Sequence, residues 1–332
     1  WRSASEAPPA SRVVVAYDDL TADAAYGRAC QGTALLWRGD FQNARQLLIA
    51  LAHRIDRRSH KPKRRVTPAP VPIPMPAPVP VPVPVPVLPG ASAQAFHLHR
   101  QAQSQRARTL GSLLVVLDEH YAVQSRRAPD IRQACMEAYG PASEPSVLSL
   151  RALLGLIGAH EWRTRGIEVA ALGGRIHPHY GVFAPIRAEY LDLLAAAALP
   201  AATSSLSVAF DIGTGTGVLA AMLARRGIGR VVGTDLDPRA LLCARENIRH
   251  LGLESQVDIL EADLFPEQRA ALVVCNPPWL PARPSSPIER GIYDPDSRML
   301  PGFLNALPGH LAPGGEGWLI LSDLAEHLGL RS

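Results

Sequence analysis

The chain has 332 residues, 47% of them hydrophobic and 19% charged, with a formal net charge of +4. That is enough apolar material for more than one core. No uninterrupted apolar run reaches the roughly 20 residues of a membrane span, and the mild positive charge permits a nucleic-acid partner without requiring one.

The start, Trp1-Arg2-Ser3, has neither an initiator Met nor an apolar leader core, so a cytoplasmic fragment of a longer protein is expected. Cys30, Cys135, Cys243 and Cys275 are far apart with no C-x-x-C pair, which argues against a zinc site, any other metal centre of that kind, or a disulfide framework. Cys275 ends an apolar run and reads as a small buried hydrophobe. Abundant Ala, Pro and Arg, with lysine only at Lys61 and Lys63, resembles the usage of GC-rich bacterial genomes.

In chain order, residues 1–12 are small and polar and are expected to be disordered. Residues 1–66 read as an N-terminal helical region. Ala24, Ala25, Ala29, Ala34, Leu35 and Leu36 recur at helix-like spacing, and Asp40 is placed to cap a second helix over 41–55. Residues 53–66 form a basic run, either a solvated helix end or a nucleic-acid contact. The Pro-Val tract at 67–90 is a low-complexity, extended spacer. Residues 91–166 read as a second helical region, with helices expected near 95–108, 129–139 and 147–161. Periodicity leaves 113–117 (LLVVL) open between strand and helix.

From residue 167 the pattern changes. Residues 169–172 and 176–183 read as a hairpin turning at Gly173-Gly174, followed by a helix over 185–198. Apolar runs at 206–211, 231–235, 257–260, 272–275 and 318–322 then alternate with helical segments at 218–226, 238–251 and 300–310. That alternation predicts an α/β fold, with a doubly wound Rossmann-like sheet over 167–332 behind a mostly helical N-terminal region.

Two stretches in this half carry chemistry. The first, FDIGTGTG at 210–217, places Asp211, Gly213, Gly215 and Gly217 on a strand-to-helix turn whose glycines let backbone approach a ligand. A dinucleotide fingerprint would need a glycine where Val218 stands, and no Gly-Lys-Ser/Thr follows for a P-loop. Asp235 ends the next strand, where doubly wound folds place an acid on ribose hydroxyls. Asp263 follows the strand after that and could accept from an adenine amino group, with Leu236 and Leu264 on either side of the base. Asp237 reads as a helix cap before Pro238. This set resembles the class I S-adenosylmethionine-dependent methyltransferases. The resemblance covers roughly 181–326 and implies S-adenosyl-L-methionine as cofactor, with those residues holding it.

The second stretch is Asn276-Pro277-Pro278-Trp279. It resembles the N-P-P-[YFW] motif of family members that methylate planar amino nitrogens, including release-factor glutamine and ribosomal-RNA base enzymes. Such nitrogens are weak nucleophiles. The Asn276 side-chain carbonyl and the Pro277 backbone carbonyl can accept their N–H groups, and both prolines restrict the chain so that the acceptors are preorganised. Trp279 offers a face for stacking. Asn276, Pro277 and Trp279 are therefore the expected catalytic residues. Phe183, Pro278, Tyr293 and Arg298 are expected to contact substrate, the last two from a long polar loop over 280–298 that reads as a recognition lid.

The reading favours N-methylation of a nucleic-acid base in RNA or DNA. A protein glutamine is the alternative, and an idle cofactor-binding or interaction module is the alternative from another class. Two departures weigh against glutamine: the segment Gly181-Val-Phe183-Ala-Pro185 lacks the Arg-Pro pair that release-factor enzymes carry before the acid, here Glu189, and Trp279 replaces the usual tyrosine. Five strands are countable where the family sheet has seven, so the domain is expected to continue past Ser332. Nothing in the sequence indicates an oligomeric state or a membrane partner.

Overall fold

A computed structural model describes residues 1–3, 8–59, 93–186, 189–205, 207–284 and 286–330. The Pro-Val tract and the basic residues from 60 onward lie outside that set. The described residues form two compact units that divide at residues 160 and 161.

In the first unit the elements are β1 (Arg12–Ala16), α1 (Ala22–Cys30), β2 (Thr33–Trp37), α2 (Phe41–Ser59), α3 (Ala93–Leu110), β3 (Leu113–Leu117), α4 (Arg132–Tyr139), β4 (Ser146–Ser149) and α5 (Leu150–Arg165). Five helices accompany a sheet of order β1-β2-β3-β4 among the described residues, so the region read from sequence as helical is built on a sheet. Ala34, Leu35 and Leu36 are therefore strand, not helix. The run TALLW is almost wholly buried and pairs in parallel with β1 and β3. A short apolar run has no period of its own, and tertiary pairing decided it. The open case at 113–117 is strand β3. The start of the chain is also ordered where described: the Arg2 N–H donates to the Val147 carbonyl at 2.9 Å, and β1 begins at Arg12.

The parallel strands of this unit lie side by side in chain order, and each is followed by an acid. Asp18 Oδ1 accepts the Asp40 N–H and the Asn43 amide, both at 2.9 Å. Asp40 caps α2 through Gln42 and takes both arms of Arg127 at 2.7 and 2.8 Å, which holds its carboxyl below the usual range. Asp118 Oδ1 accepts the N–H groups of His120 and Ala122.

The second unit opens with an antiparallel pair, β5 (Ile167–Val169) and β6 (Gly174–Ile176), earlier and shorter than the expected hairpin. It ends at Ile176 because the His177 N–H turns away to the Asn247 side chain at 2.7 Å. Then follow α6 (Glu189–Ala196), β7 (Val208–Ile212), α7 (Val218–Arg225), β8 (Arg230–Asp235), α8 (Pro238–His250), β9 (Val257–Glu261), β10 (Ala270–Cys275), α9 (Met299–His310), β11 (Leu311–Leu319) and α10 (Leu324–His327). The last strand starts earlier than expected, and its ladder with β10 shifts register between Ala270 and Leu272.

The five strands are all parallel in the order β11-β10-β7-β8-β9. Alternation along β7 explains why both sheet faces are covered. Ala209 joins the core under α7 and α8, while Phe210 and Ile212 pack with Phe303 of α9 on the other face. Full burial of such a side chain stabilises by about 1.5–3 kcal/mol. From β7 the chain runs outward through β8 and β9, then returns to β10 on the opposite side. The strand order therefore reverses between β7 and β10, where open α/β sheets form their ligand crevice.

Candidate functional site

The glycine turn leaves β7 and starts α7. Gly213, Gly215 and Gly217 all have positive φ, at 72°, 56° and 80°. At Gly217 a Cβ would stand 3.2 Å from Ala244, so the missing side chain brings α7 against α8. At Gly215 nothing but the Gly213 carbonyl, 3.9 Å away, would meet one. The space over Gly215 is open, as a ligand cradle requires.

Asp211 is fully buried at the base of this turn. Its Oδ2 accepts the Thr214 hydroxyl at 2.7 Å and the Ala220 N–H at 3.0 Å, so it braces turn and helix together. Its Oδ1 is buried with no hydrogen-bond partner among the described residues. Burial pushes the Asp211 carboxyl up to about 6 against the pull of those two bonds, and the nearby Asp235 charge adds to the rise.

Asp235 ends β8 beside the turn. One oxygen accepts the Gly215 N–H at 3.1 Å and the other the Asp237 N–H at 2.9 Å. Burial raises its carboxyl too, the backbone bonds partly offsetting it. A carboxylate has about four lone-pair sites, so acceptor capacity remains for sugar hydroxyls. A cleft of about 490 Å³ opens here, lined by Asp235, Leu236, Asp237, Pro238, Arg239 and Arg290. Leu236 is exposed on its wall. Asp237 caps α8 by accepting the Arg239 N–H, as expected, and also binds the Arg239 side chain, with Arg290 3.8 Å away. Burial raises the Asp237 carboxyl, but the Arg239 bonds outweigh it and leave it below its usual value.

Asp263 and Leu264 follow β9. Asp263 is exposed and lies 3.7 Å from Arg298. Leu264 has φ 71°, and its side chain packs towards Gly302 and the α9 core.

On the other side of the reversal, Asn276 and Pro277 leave β10 directly. Cys275 is fully buried, and desolvation drives its thiol far up, as suits an inert core residue. The N–H groups of Trp279 and Leu280 both donate to the Ile292 carbonyl at 3.0 Å, and the Asp294 N–H returns to Leu280 at 2.9 Å. Residues 286–298 therefore fold back against the motif, with short 3₁₀ turns at Pro287–Gly291 and Pro295–Ser297. Asp294 is buried and caps α9 through the N–H groups of Arg298 and Met299.

The fold thus gathers Asp211, the three glycines, Asp235, Asp263, Leu264 and the motif Asn276, Pro277, Pro278 and Trp279 at the C-terminal ends of neighbouring strands. Three expected contact residues sit differently. Tyr293 is buried, and its backbone bridges to Leu280. Arg298 reaches Asp263 at the cofactor half. Phe183 lies against Gly291, where a Cβ would come within 2.6 Å of its own. Sequence reasoning missed Arg239 and Arg290, for which no signal existed. It also missed Asn247, a fully buried polar residue that donates to the Thr216 carbonyl at 2.9 Å and the His177 carbonyl at 3.3 Å. Asn247 falls on the apolar stripe of α8, and a polar residue on that stripe was the available clue.

The residues fit an S-adenosylmethionine-type cofactor. They offer a buried acceptor atom without a donor among the described residues, open space over Gly215, and an acid beside the cleft. Among the described residues no group of three or more His, Cys, Asp or Glu side chains is placed to hold a metal ion, and no helix is long and apolar enough to cross a membrane.

Residues 173–326 match the family model described as the methyltransferase small domain. The release factor glutamine methyltransferase of Cereibacter sphaeroides is 34% identical over 119 residues, covering 32% of this chain and 43% of that protein. The ribosomal protein L11 methyltransferase of Vibrio cholerae is 33% identical over 118 residues, covering 35% and 40%. A solved S-adenosylmethionine-dependent methyltransferase of Thiobacillus denitrificans, in complex with S-adenosyl-L-homocysteine, aligns at 20% identity over 41% of this chain and 48% of that one, with a TM-score of 0.29. The chain spans less than half the length of these curated relatives.

Proposed function

We propose that this chain, whose residues 173–326 match the methyltransferase small domain, uses S-adenosylmethionine to transfer a methyl group to a planar amino or amide nitrogen. The observation that carries the reading is position: Asn276-Pro277-Pro278-Trp279 leaves β10 beside the glycine turn of β7, where the strand order reverses.

When bound, the cofactor supplies an electrophilic methyl group. The chain's part is to hold and orient. Asp235 and Gly215 define the sugar end of the cofactor cleft, and Asp211 presents a buried acceptor atom. The Asn276 side-chain carbonyl and the Pro277 backbone carbonyl accept the two acceptor N–H groups, which draws the nitrogen lone pair out of conjugation. Trp279 stacks on the planar group. Its own backbone is pinned to Ile292, so the stacking face is preorganised.

The relatives' names direct the first acceptor assignment to a protein: one is named for release-factor glutamine and the other for ribosomal protein L11. The glutamine amide has the required planar nitrogen. A nucleic-acid base is the second reading, supported by the formal net charge of +4 and by the exposed Arg283 on the loop that follows Trp279. Phosphate contacts of that kind make binding steeply salt-dependent.

The test is transfer of labelled methyl from S-adenosylmethionine into fractionated protein, RNA and DNA, with Asn276→Ala as control. Label in protein supports the first assignment, and label in RNA or DNA the second. Cofactor binding without label in any fraction would overturn the transferase reading for these acceptors.

A further inference from the structure

We infer that Thr234 is a positioning residue for the adenine end of the cofactor cleft, acting through Leu264 on Asp263; the inference rests on the cofactor reading above. Thr234 is fully buried in β8, one residue before Asp235. Its carbonyl and its hydroxyl tie β8 to two different segments at the strand ends. The backbone carbonyl accepts the Thr214 N–H of the glycine turn at 2.8 Å. The hydroxyl donates to the Leu264 carbonyl at 2.6 Å, across thirty positions of sequence.

Leu264 needs such a hold. Its φ of 71° is a left-handed conformation that a bulky residue rarely adopts. The reason for it is visible on both sides. Asp263 points out into solvent, 3.7 Å from Arg298. Phe265 is anchored the other way, stacked on His310 at 4.5 Å and on Phe303 at 5.5 Å between ring centroids. The chain must reverse between these two side chains, and Leu264 makes the reversal. Strained backbone of this kind persists where surrounding structure over-determines it. The Thr234 hydroxyl supplies a side-chain hydrogen bond to that reversal. Removing it frees Leu264 to relax, and Asp263 then loses its fixed place as acceptor for the adenine amino group.

The test compares binding of S-adenosylhomocysteine with that of its inosine counterpart, which carries a 6-oxo group in place of the amino donor, by titration calorimetry. The wild-type chain is expected to prefer the adenosine form by about tenfold, the size of one well-made hydrogen bond to a charged acceptor. Thr234→Val is expected to reduce that preference to less than about twofold, while Thr234→Ser, which keeps the hydroxyl, retains it. In a Leu264→Gly background, where glycine adopts the left-handed conformation without strain, adding Thr234→Val should change the preference by less than about twofold.

A merely structural role for Thr234 would weaken both ligands equally and leave the preference intact, which overturns the inference. So does a wild-type chain that binds the two forms equally, or an equal effect of Thr234→Val in both backgrounds. If Thr234→Val alone does not fold, recovery of folding and preference by added Leu264→Gly supports the inference, and failure to recover overturns it. A wild-type chain that binds neither form defeats the cofactor reading itself.

Discussion

The Gly215 N–H donates to the Asp235 carboxylate at 3.1 Å, joining the middle of the glycine turn to the acid at the end of the next strand. Turn and acid are therefore one piece. A change in either moves the other, so Asp235→Ala should disturb the turn as well as remove a sugar contact. Cofactor affinity rather than turnover is where this pair acts.

Asn276 should separate binding from chemistry. Asn276→Ala is expected to lower methyl transfer by about 10²–10³-fold, the usual cost of one preorganised transition-state contact. S-adenosylhomocysteine affinity should stay within about twofold, because Asn276 belongs to the acceptor half. Single-turnover transfer and calorimetry together decide it. Comparable losses in both would place Asn276 in the cofactor site instead.

Asp211 links stability to pH. Its folded-state value lies near 6 against an ordinary 3.8. The folded form therefore holds a proton that the unfolded form releases earlier. The stability tied to that proton is full below about pH 4 and is lost as pH rises through about 6. Asp211→Asn should raise unfolding stability at pH 7 by on the order of 2 kcal/mol, with the gain vanishing below about pH 4. The same variant should bind S-adenosylhomocysteine more weakly. Denaturant unfolding across that pH range, beside calorimetry, checks both halves. A gain independent of pH would mean that the charge of Asp211 is not its cause.

Asn247 fastens the segment after β6 to the glycine turn. Its side chain serves the His177 N–H and the carbonyls of His177 and Thr216 at once, and it is fully buried. Asn247→Leu leaves these groups unpaired in the core and should cost about 2–4 kcal/mol in chemical denaturation. Asn247→Ala should cost at least as much. A change under about 1 kcal/mol would show that water replaces the amide.

Gly291 tests whether the folded-back loop serves the acceptor. A Cβ there would come within 2.6 Å of Phe183 Cβ, too close without movement of one backbone or the other. Gly291→Ala should raise the acceptor KM several-fold, leave cofactor affinity within about twofold, and change stability by about 1–3 kcal/mol. Steady-state kinetics with the acceptor found by labelling gives the split. Equal effects on both substrates would assign the loop to the cofactor instead.

Much of the second unit was legible because its central strands β7, β8 and β10 are buried on both faces. AALVVC and VAFDI have near-continuous apolar runs, which the parallel doubly wound class demands. Asp235 and Asp263 stood out because each follows such a run. The first unit was harder. TALLW is five residues long, its strand partners are distant in sequence, and helices flank it, so local pattern favoured helix. The folding back of 286–298 rests on single backbone bonds from Trp279, Leu280 and Asp294, which side-chain pattern does not encode. Thr234 was invisible for a related reason. A threonine in a strand is ordinary, and only the position of Leu264 gives its hydroxyl a task.

The acids at the strand ends of the two sheets should differ in what evolution can put in their place. Asp18 and Asp118 direct the bonds described here through a single oxygen, which an asparagine carbonyl reproduces. Asp235 engages both oxygens with main-chain N–H groups, and asparagine would turn an amide donor towards one of them. Asp→Asn exchanges at these three positions would then divide by tolerance, with Asp18 and Asp118 near neutral as scaffold and Asp235 intolerant as part of the crevice, while Asp40, which holds Arg127 through both oxygens, would be intolerant for a structural reason.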